Sequence, residues 1–77
     1  MTSSTIKIIQ SKIKKYRNEK TLTQEELAEC VGVTTDYISL IERRKRVPSL
    51  KVLLLIAEVL EIEPYKFLID NEQRDSK

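Results

Sequence analysis

The chain has 77 residues, 40% hydrophobic and 34% charged, which is enough for one globular domain with one modest core. It has no His and a single Cys, so it lacks the usual groups for a catalytic triad, a zinc site or an internal disulfide. We therefore expect no enzyme, no metal and no cofactor, and the lone Cys30 fits a reducing cytoplasm.

The net charge of +2 is unevenly distributed along the chain. Residues 1–51 have 11 Lys or Arg against 6 Asp or Glu, a net +5, whereas residues 52–77 have 3 against 6, a net −3. The basic part favours a polyanionic partner, although a charged stretch is more often only a solvated surface. There is no signal-peptide pattern, and the longest apolar run, 52–57, is too short to span a bilayer. We expect no membrane partner.

The first predicted helix covers residues 5–19. Ile6, Ile9, Ile13 and Tyr16 recur on one face of it, the spacing of an amphipathic helix. Ser3, Ser4 and Thr5 precede it with oxygens that suit an N-cap.

A tight turn separates the second and third predicted helices. Thr23 and Glu26 form a capping-box pattern that begins the second helix. Gly32 ends it, because glycine adopts a positive φ without steric cost. Thr34 then offers an N-cap for a third helix over about 35–43. Two short helices joined so closely predict a helix-turn-helix over about 23–43.

The third helix separates apolar from polar side chains. Ile38 and Ile41 point to one side, and Thr35, Asp36 and Ser39 occupy a different arc. A basic run, residues 43–46, follows this helix directly.

The fourth predicted helix, residues 50–60, has more apolar residues than one core face needs. Leu50, Leu53, Ala57 and Leu60 form the expected core stripe, and a final short helix begins at Pro64. A second apolar stripe, continued by that last helix, indicates either a two-fold dimer interface or a surface covered by the chain's own last segment. The residues expected at the interface are Val52, Leu55, Val59, Ile62, Tyr65, Phe67, Leu68 and Ile69.

The sequence resembles the phage-repressor family of helix-turn-helix proteins, also called the Cro/cI or xenobiotic-response-element type. The resemblance is carried by residues 22–29 (LTQEELAE), 31–34 (VGVT), 37–43 (YISLIER) and 48–50 (PSL). It implies an all-α, five-helix domain over residues 1–70, followed by a polar tail at 71–77. It also implies a homodimeric transcriptional regulator, a repressor or controller, that reads a near-palindromic operator in double-stranded DNA through successive major grooves.

A recognition helix needs short or planar polar side chains near the base edges, and Thr35 and Ser39 meet that need. Asp36 either reads a cytosine or only favours the helix dipole, and Tyr37 either packs or aims its hydroxyl at a phosphate. In the family, a glutamine that matches Gln24 contacts the DNA backbone. The expected DNA-binding residues are Gln24, Thr34, Thr35, Asp36, Tyr37, Ser39, Arg43, Arg44, Lys45 and Arg46.

Two further family features concern structure. Arg17 and Glu42 match a family pair that forms a buried ion bridge and orients the recognition helix. The family commonly has Gly where this chain has Arg44, which predicts a different and strained end to the third helix.

A second interpretation belongs to another class: a protein-interaction module, such as an antitoxin that binds a partner protein as well as, or instead of, DNA. The apolar stripe on the fourth helix would serve it equally well. No small-molecule ligand is evident from the sequence.

Overall fold

A computed structural model describes residues 3–69, and all regular structure in that range is helical. The helices are α1 (Ser3–Glu19), α2 (Gln24–Val31), α3 (Thr35–Glu42) and α4 (Leu50–Leu60), followed by a 3-10 helix (Pro64–Leu68). The all-helical class is confirmed, but the expected fifth α-helix is a 3-10 helix. The predicted polar tail, 71–77, lies outside the described residues. Within 3–69, no helix is both long and apolar enough to cross a membrane.

The predicted caps of the helix-turn-helix are confirmed. The Glu26 N–H donates to the Thr23 hydroxyl at 3.0 Å, and the Thr23 N–H donates to the Glu26 carboxylate at 2.9 Å. Gly32 ends α2 in the left-handed region, with φ 89°. The Thr34 hydroxyl accepts a hydrogen bond from the Tyr37 N–H at 3.1 Å, which begins α3. Because each cap uses neighbouring residues, the angle of entry into each helix is fixed locally.

All four α-helices end in the same backbone turn. In each case the residue that directly follows the left-handed residue donates its N–H to the carbonyl five residues earlier, as in a Schellman motif. In α2 this bond joins the Val33 N–H to the Ala28 carbonyl at 3.0 Å, with Gly32 in the left-handed conformation. In α3 the Lys45 N–H bonds to the Leu40 carbonyl at 2.8 Å.

Outside α2, a residue with a side chain takes the left-handed position: Thr21 after α1, Arg44 after α3 and Glu61 after α4. Their φ values are 58°, 63° and 59°. This conformation costs a residue with a Cβ roughly 1–2 kcal/mol. The strain expected at Arg44 is therefore present, and the same strain occurs at two other helix ends. The different end expected for the third helix is wrong, because Arg44 adopts the same left-handed turn as Gly32.

The core lies between α1, the helix-turn-helix and α4, and the 3-10 helix closes one end of it. Phe67 is fully buried and meets Tyr16 edge to face, with ring centroids 5.7 Å apart. The buried apolar residues are Ile9, Ile13, Tyr16, Leu27, Ala28, Val31, Ile38, Ile41, Ile56, Ala57, Leu60 and Phe67. This arrangement fixes α3 from behind and leaves its polar face outward.

Two sequence predictions about apolar residues are wrong. Phe67, expected at a dimer interface, is a core residue because the 3-10 helix turns its ring onto α1. Leu50, expected in the core stripe of α4, is 70% exposed. It is the first residue of α4 and borders a small open cleft with Ile6 and Val47, outside the packed interior.

The second apolar stripe on α4 lies at the margin of the core. Val52, Leu55, Val59 and Ile62 are partly buried and pack against the core residues. The exposed members of the predicted interface are Tyr65 at 56% and Leu68 at 52%, and Ile69 is half-buried. The chain's own last helix therefore covers part of the stripe and leaves an apolar edge in solvent.

Candidate nucleic-acid interface

The first turn of α3 presents polar side chains that carry no structural contact. Thr35 and Asp36 are exposed, and within residues 3–69 no side-chain hydrogen bond or ion pair holds either of them. Thr34 differs, because its hydroxyl oxygen is occupied by the cap on the Tyr37 N–H. Its hydroxyl hydrogen remains able to donate to an acceptor such as a phosphate.

Ser39 and Arg43 lie one turn apart on α3 and its C-cap and act as a pair. The Arg43 Nε donates to the Ser39 Oγ at 3.2 Å. Ser39 is half-buried and Arg43 is exposed. The serine thus keeps its hydroxyl hydrogen for a further partner, and the guanidinium is directed along the same face as the first turn.

Tyr37 links α3 to the start of α4. Its hydroxyl accepts a hydrogen bond from the Ser49 N–H at 3.4 Å, and the Arg46 guanidinium lies 5.6 Å from the centre of its ring. A cation at that distance from an aromatic face is attracted by the ring quadrupole. Tyr37 thus packs against the core, as one of its two predicted roles requires. Its hydroxyl keeps a hydrogen that it can donate to a phosphate, as the other role requires.

A buried network connects α1, α2 and α3. The Arg17 Nε and Nη2 donate to the two oxygens of Glu42 at 2.7 and 3.0 Å, a bidentate pair. The Arg17 Nη1 also donates to the Leu22 carbonyl at 2.7 Å. The side chains of Arg17 and Glu42 are 10% and 2% exposed. The pair that the resemblance implies is thus brought together, between the end of α1 and the end of α3.

Gln24 belongs to the same network, which the sequence did not predict. Its Nε2 donates to the Glu42 Oε1 at 3.0 Å. One amide hydrogen is thereby used inside the protein, and the second hydrogen and the carboxamide oxygen keep their bonding capacity. The Glu42 carboxylate therefore orients the side chain that sequence reasoning assigned to a DNA phosphate.

The basic loop is exposed throughout, at Arg43, Arg44, Lys45 and Arg46, but its members point in different directions. Arg46 lies over Tyr37, as described above. The Arg44 Nη2 instead reaches back to α1 and donates to the Ser11 Oγ at 2.7 Å. The loop consequently presents cations on two sides, one beside α3 and one beside α1.

Helix α1 holds this loop in place through a residue that sequence reasoning missed. Gln10 is 3% exposed, and its Nε2 donates to the Arg46 carbonyl at 2.8 Å. The sequence offered one signal for this contact: Gln10 lies beside the Ile9 and Ile13 stripe of α1, and an amide that is buried there needs a hydrogen-bond partner. Its partner is 36 residues away in the sequence, so no local pattern could identify it.

The chain is similar to known helix-turn-helix proteins in both sequence and structure. A family model described as helix-turn-helix matches residues 13–67. The control protein C.SmaI of Serratia marcescens is 36% identical over 70 residues, which cover 86% of this chain and 83% of that protein. The structure of the restriction-modification controller protein C.AhdI from Aeromonas hydrophila superposes with a TM-score of 0.76 at 32% identity, covering 86% of this chain and 98% of that one.

The regulator SinR is a third relative. Its N-terminal DNA-binding domain from Bacillus subtilis has a TM-score of 0.78 at 36% identity, over 86% of this chain and 97% of that chain. A structure of SinR in complex with DNA has a TM-score of 0.74 at 39% identity, over 79% of this chain and 98% of that one. The whole SinR of Bacillus licheniformis is longer, and the match spans 62% of it. With the family model matching most of its length, the chain belongs to the helix-turn-helix family of the phage-repressor, or Cro/cI, type.

Proposed function

We propose that this protein is a transcriptional regulator that binds double-stranded DNA sequence-specifically, with α3 in the major groove. The observation that carries the proposal is the exposed first turn of α3, where Thr35 and Asp36 make no structural contact. Polar groups that the fold does not use are available for base edges. A structure of SinR in complex with DNA, at 39% identity to this chain, supports DNA binding.

Three side chains are assigned to base reading. Thr35 offers a methyl group for thymine and a hydroxyl for a hydrogen bond, and Asp36 can accept from a cytosine amino group. Ser39 reads with its remaining hydroxyl hydrogen while Arg43 holds its oxygen. Asp36 also opens α3, where a carboxylate is favoured by the helix dipole, so its contribution to affinity is smaller than that of Thr35.

The remaining residues are assigned to the phosphate backbone. Gln24, at the first position of α2, presents its free amide hydrogen beside the unpaired N–H groups of the helix end. Thr34, Tyr37, Arg43, Lys45 and Arg46 surround the recognition helix. Phosphate contacts of this kind set the register and supply affinity that depends on salt and not on sequence.

A homodimer completes the proposal. Two copies related by a two-fold axis would place their recognition helices about 34 Å apart, one turn of DNA, so the operator is a near-palindrome. The proposed interface is the apolar edge of α4 and the 3-10 helix without the buried Phe67, namely Val52, Leu55, Val59, Ile62, Tyr65, Leu68 and Ile69. The two most exposed of these, Tyr65 and Leu68, are at its centre, because an unpaired monomer would leave them in water.

Site selection from a random duplex pool, followed by fluorescence anisotropy against the selected site, tests DNA recognition. Thr35→Ala changes which bases are selected, whereas Arg46→Ala weakens binding to all duplexes alike. Lys66→Ala, a charge removed from the 3-10 helix, is the control and leaves both quantities unchanged. Failure of the wild type to prefer any sequence would sink the proposal.

Sedimentation equilibrium tests the dimer. The wild type sediments as a dimer at high micromolar concentration, and Leu68→Asp sediments as a monomer because the interface then buries a charge. Leu54→Asp is the matched control, since Leu54 is 45% exposed on a different face of α4 and leaves the dimer intact. A monomeric wild type at that concentration rules the interface out.

An interaction module remains a second candidate because of one observation. Val47, Leu50 and Leu54 are all exposed, and Val47 and Leu50 border an apolar cleft of about 80 Å³. Anisotropy against random duplex DNA separates the two functions. A DNA-binding protein loses affinity steeply as salt rises, and a module for another protein shows little DNA binding at any salt.

A further inference from the structure

The side of the basic loop that faces α1 forms a second concentration of positive charge. Two adjoining clefts, of about 270 and 160 Å³, lie between the first half of α1 and residues 44–47. Lys7 and Arg44 line both of them. Neither cleft belongs to the first turn of α3, where the bases are read under the proposed function.

As far as residues 3–69 form it, the lining of these clefts has cations and no Asp or Glu. Lys7 and Arg44 are the cations common to both clefts, and Lys45 and Arg46, which the proposed function also places near α3, line the larger one. In the sequence, the first acidic residue of α1 is Glu19, at its far end. Cations that line one cleft favour an anion between them.

Arg44 is held in this place at a conformational cost. Its backbone has φ 63°, a conformation that favours glycine. Its guanidinium is fixed by the 2.7 Å hydrogen bond to the Ser11 Oγ, and the Gln10 bond to the Arg46 carbonyl fixes the loop beside it. These two hydrogen bonds keep the Arg44 guanidinium on the side of the loop that faces α1.

We propose that Lys7, Ser11 and Arg44 form a phosphate-binding site for the DNA backbone outside the segment that α3 reads. The inference rests on the proposed function and extends it, because it adds α1 to the DNA contact. Arg44 presents a planar fork of N–H donors that suits phosphate oxygens, and Lys7 adds a point charge on the opposite wall. The loop ending α3 passes directly into this site, so the backbone contacts continue from Arg43 round to α1.

The test compares the selected site in two duplexes, one trimmed to the site and one extended by ten base pairs on each side. The wild type binds the extended duplex more tightly and with a steeper dependence of log affinity on log salt. Lys7→Gln lowers that slope on the extended duplex by about 1 per protomer and abolishes the advantage over the trimmed duplex. Arg44→Gly has the same effect on DNA binding and also raises the melting temperature. If Arg44 were only structural, its loss would not weaken DNA binding while making the protein more stable.

Lys66→Gln is the control with an equal loss of charge, and it retains the advantage of the extended duplex. Equal binding of both duplexes by the wild type overturns the inference and leaves the proposed function standing. Absence of binding to either duplex overturns both. A parallel titration with pyrophosphate, followed by NMR shifts at Lys7 and Arg44, identifies the source of the phosphate. Saturable shifts without a duplex-length effect would assign the site to a free phosphate compound and reject the DNA assignment.

Discussion

The end of α2 and the ends of the other three α-helices use the same backbone turn with different residues. The turn after α2 has the single glycine of the chain, and the others have Thr21, Arg44 and Glu61 in the left-handed conformation. At all three strained ends the side chain makes a hydrogen bond that glycine cannot make: Thr21 donates to the adjacent Lys20 carbonyl, Arg44 donates to Ser11, and Glu61 accepts from the Lys20 ammonium. The turn between α2 and α3 is therefore free of backbone strain, whereas the ends of α1, α3 and α4 are strained and each gains a side-chain hydrogen bond.

The largest expected effect comes from breaking the Arg17–Glu42 ion pair, which joins α3 to α1. Glu42→Ala leaves Arg17 buried without its carboxylate and Gln24 without its acceptor, and should cost about 3–5 kcal/mol of unfolding free energy. Urea denaturation measures it. The double variant Arg17→Met with Glu42→Leu should recover most of that loss, because no unpaired charge remains. A single-variant loss below about 1 kcal/mol would contradict a buried pair, since exposed pairs have that value.

The next effect concerns the unstrained turn itself. Gly32→Ala should destabilise the protein by about 1–2 kcal/mol, because alanine is strained at φ 89°. A Cβ built at this position has no atom within 4 Å, so the cost is entirely conformational. Thermal denaturation followed by circular dichroism measures it. An unchanged melting temperature would mean that the turn after α2 relaxes, and the contrast between the regions would disappear.

The converse substitution, a glycine in place of the strained residue that ends α1, should stabilise the protein. Thr21→Gly removes a β-branched residue from the left-handed region and should gain about 1 kcal/mol, after the larger entropy of glycine in the unfolded chain is deducted. Glu61→Gly is the comparison variant, and it should gain less because it loses the ion pair with Lys20, whereas Thr21→Gly loses only a hydrogen bond to the adjacent carbonyl. Denaturation of both proteins under one set of conditions gives the difference. Equal gains would show that the Lys20 contact contributes nothing.

The smallest effect is a pH dependence at the end of α4. The hydrogen bond from Lys20, at 2.6 Å, and then the ammonium charge lower the pKa of Glu61 below its ordinary value. A lowered pKa stabilises the fold above the ordinary carboxyl pKa of about 4.3, and the contribution is lost as the pH falls through the folded-state value. The stability difference between the wild type and Glu61→Gln should therefore be small at pH 7 and vanish in acid. A difference that persists unchanged in acid would contradict the ion pair.

Sequence patterns correctly predicted the features of the fold that depend on contacts between neighbouring residues. Thr23, Gly32 and Thr34 set the helix ends through contacts within a few residues, so their pattern was sufficient to place α2 and α3. Ser49 begins α4 through a local contact of the same kind, because its hydroxyl accepts a hydrogen bond from the Val52 N–H.

What sequence reasoning missed depends on contacts between distant segments. The burial of Phe67 depends on Tyr16, and the path of the basic loop depends on Gln10 and Ser11 of α1. Periodicity specifies which face of a helix is apolar but not how far along its length a neighbour covers it. For this reason Leu50, at the start of α4, was wrongly expected in the core.

The first turn of α3, which makes no side-chain contact with the rest of the described chain at Thr35 and Asp36, can change in sequence without disturbing the fold. Because Thr35 and Asp36 carry no structural contact in the described chain, replacing them changes the surface chemistry while the caps, the core and the Arg17–Glu42 bridge stay intact. Surface substitutions of this kind usually shift stability by less than about 0.5 kcal/mol. If Thr35 and Asp36 read bases as proposed, single substitutions at these positions change the preferred DNA sequence while the protein stays folded.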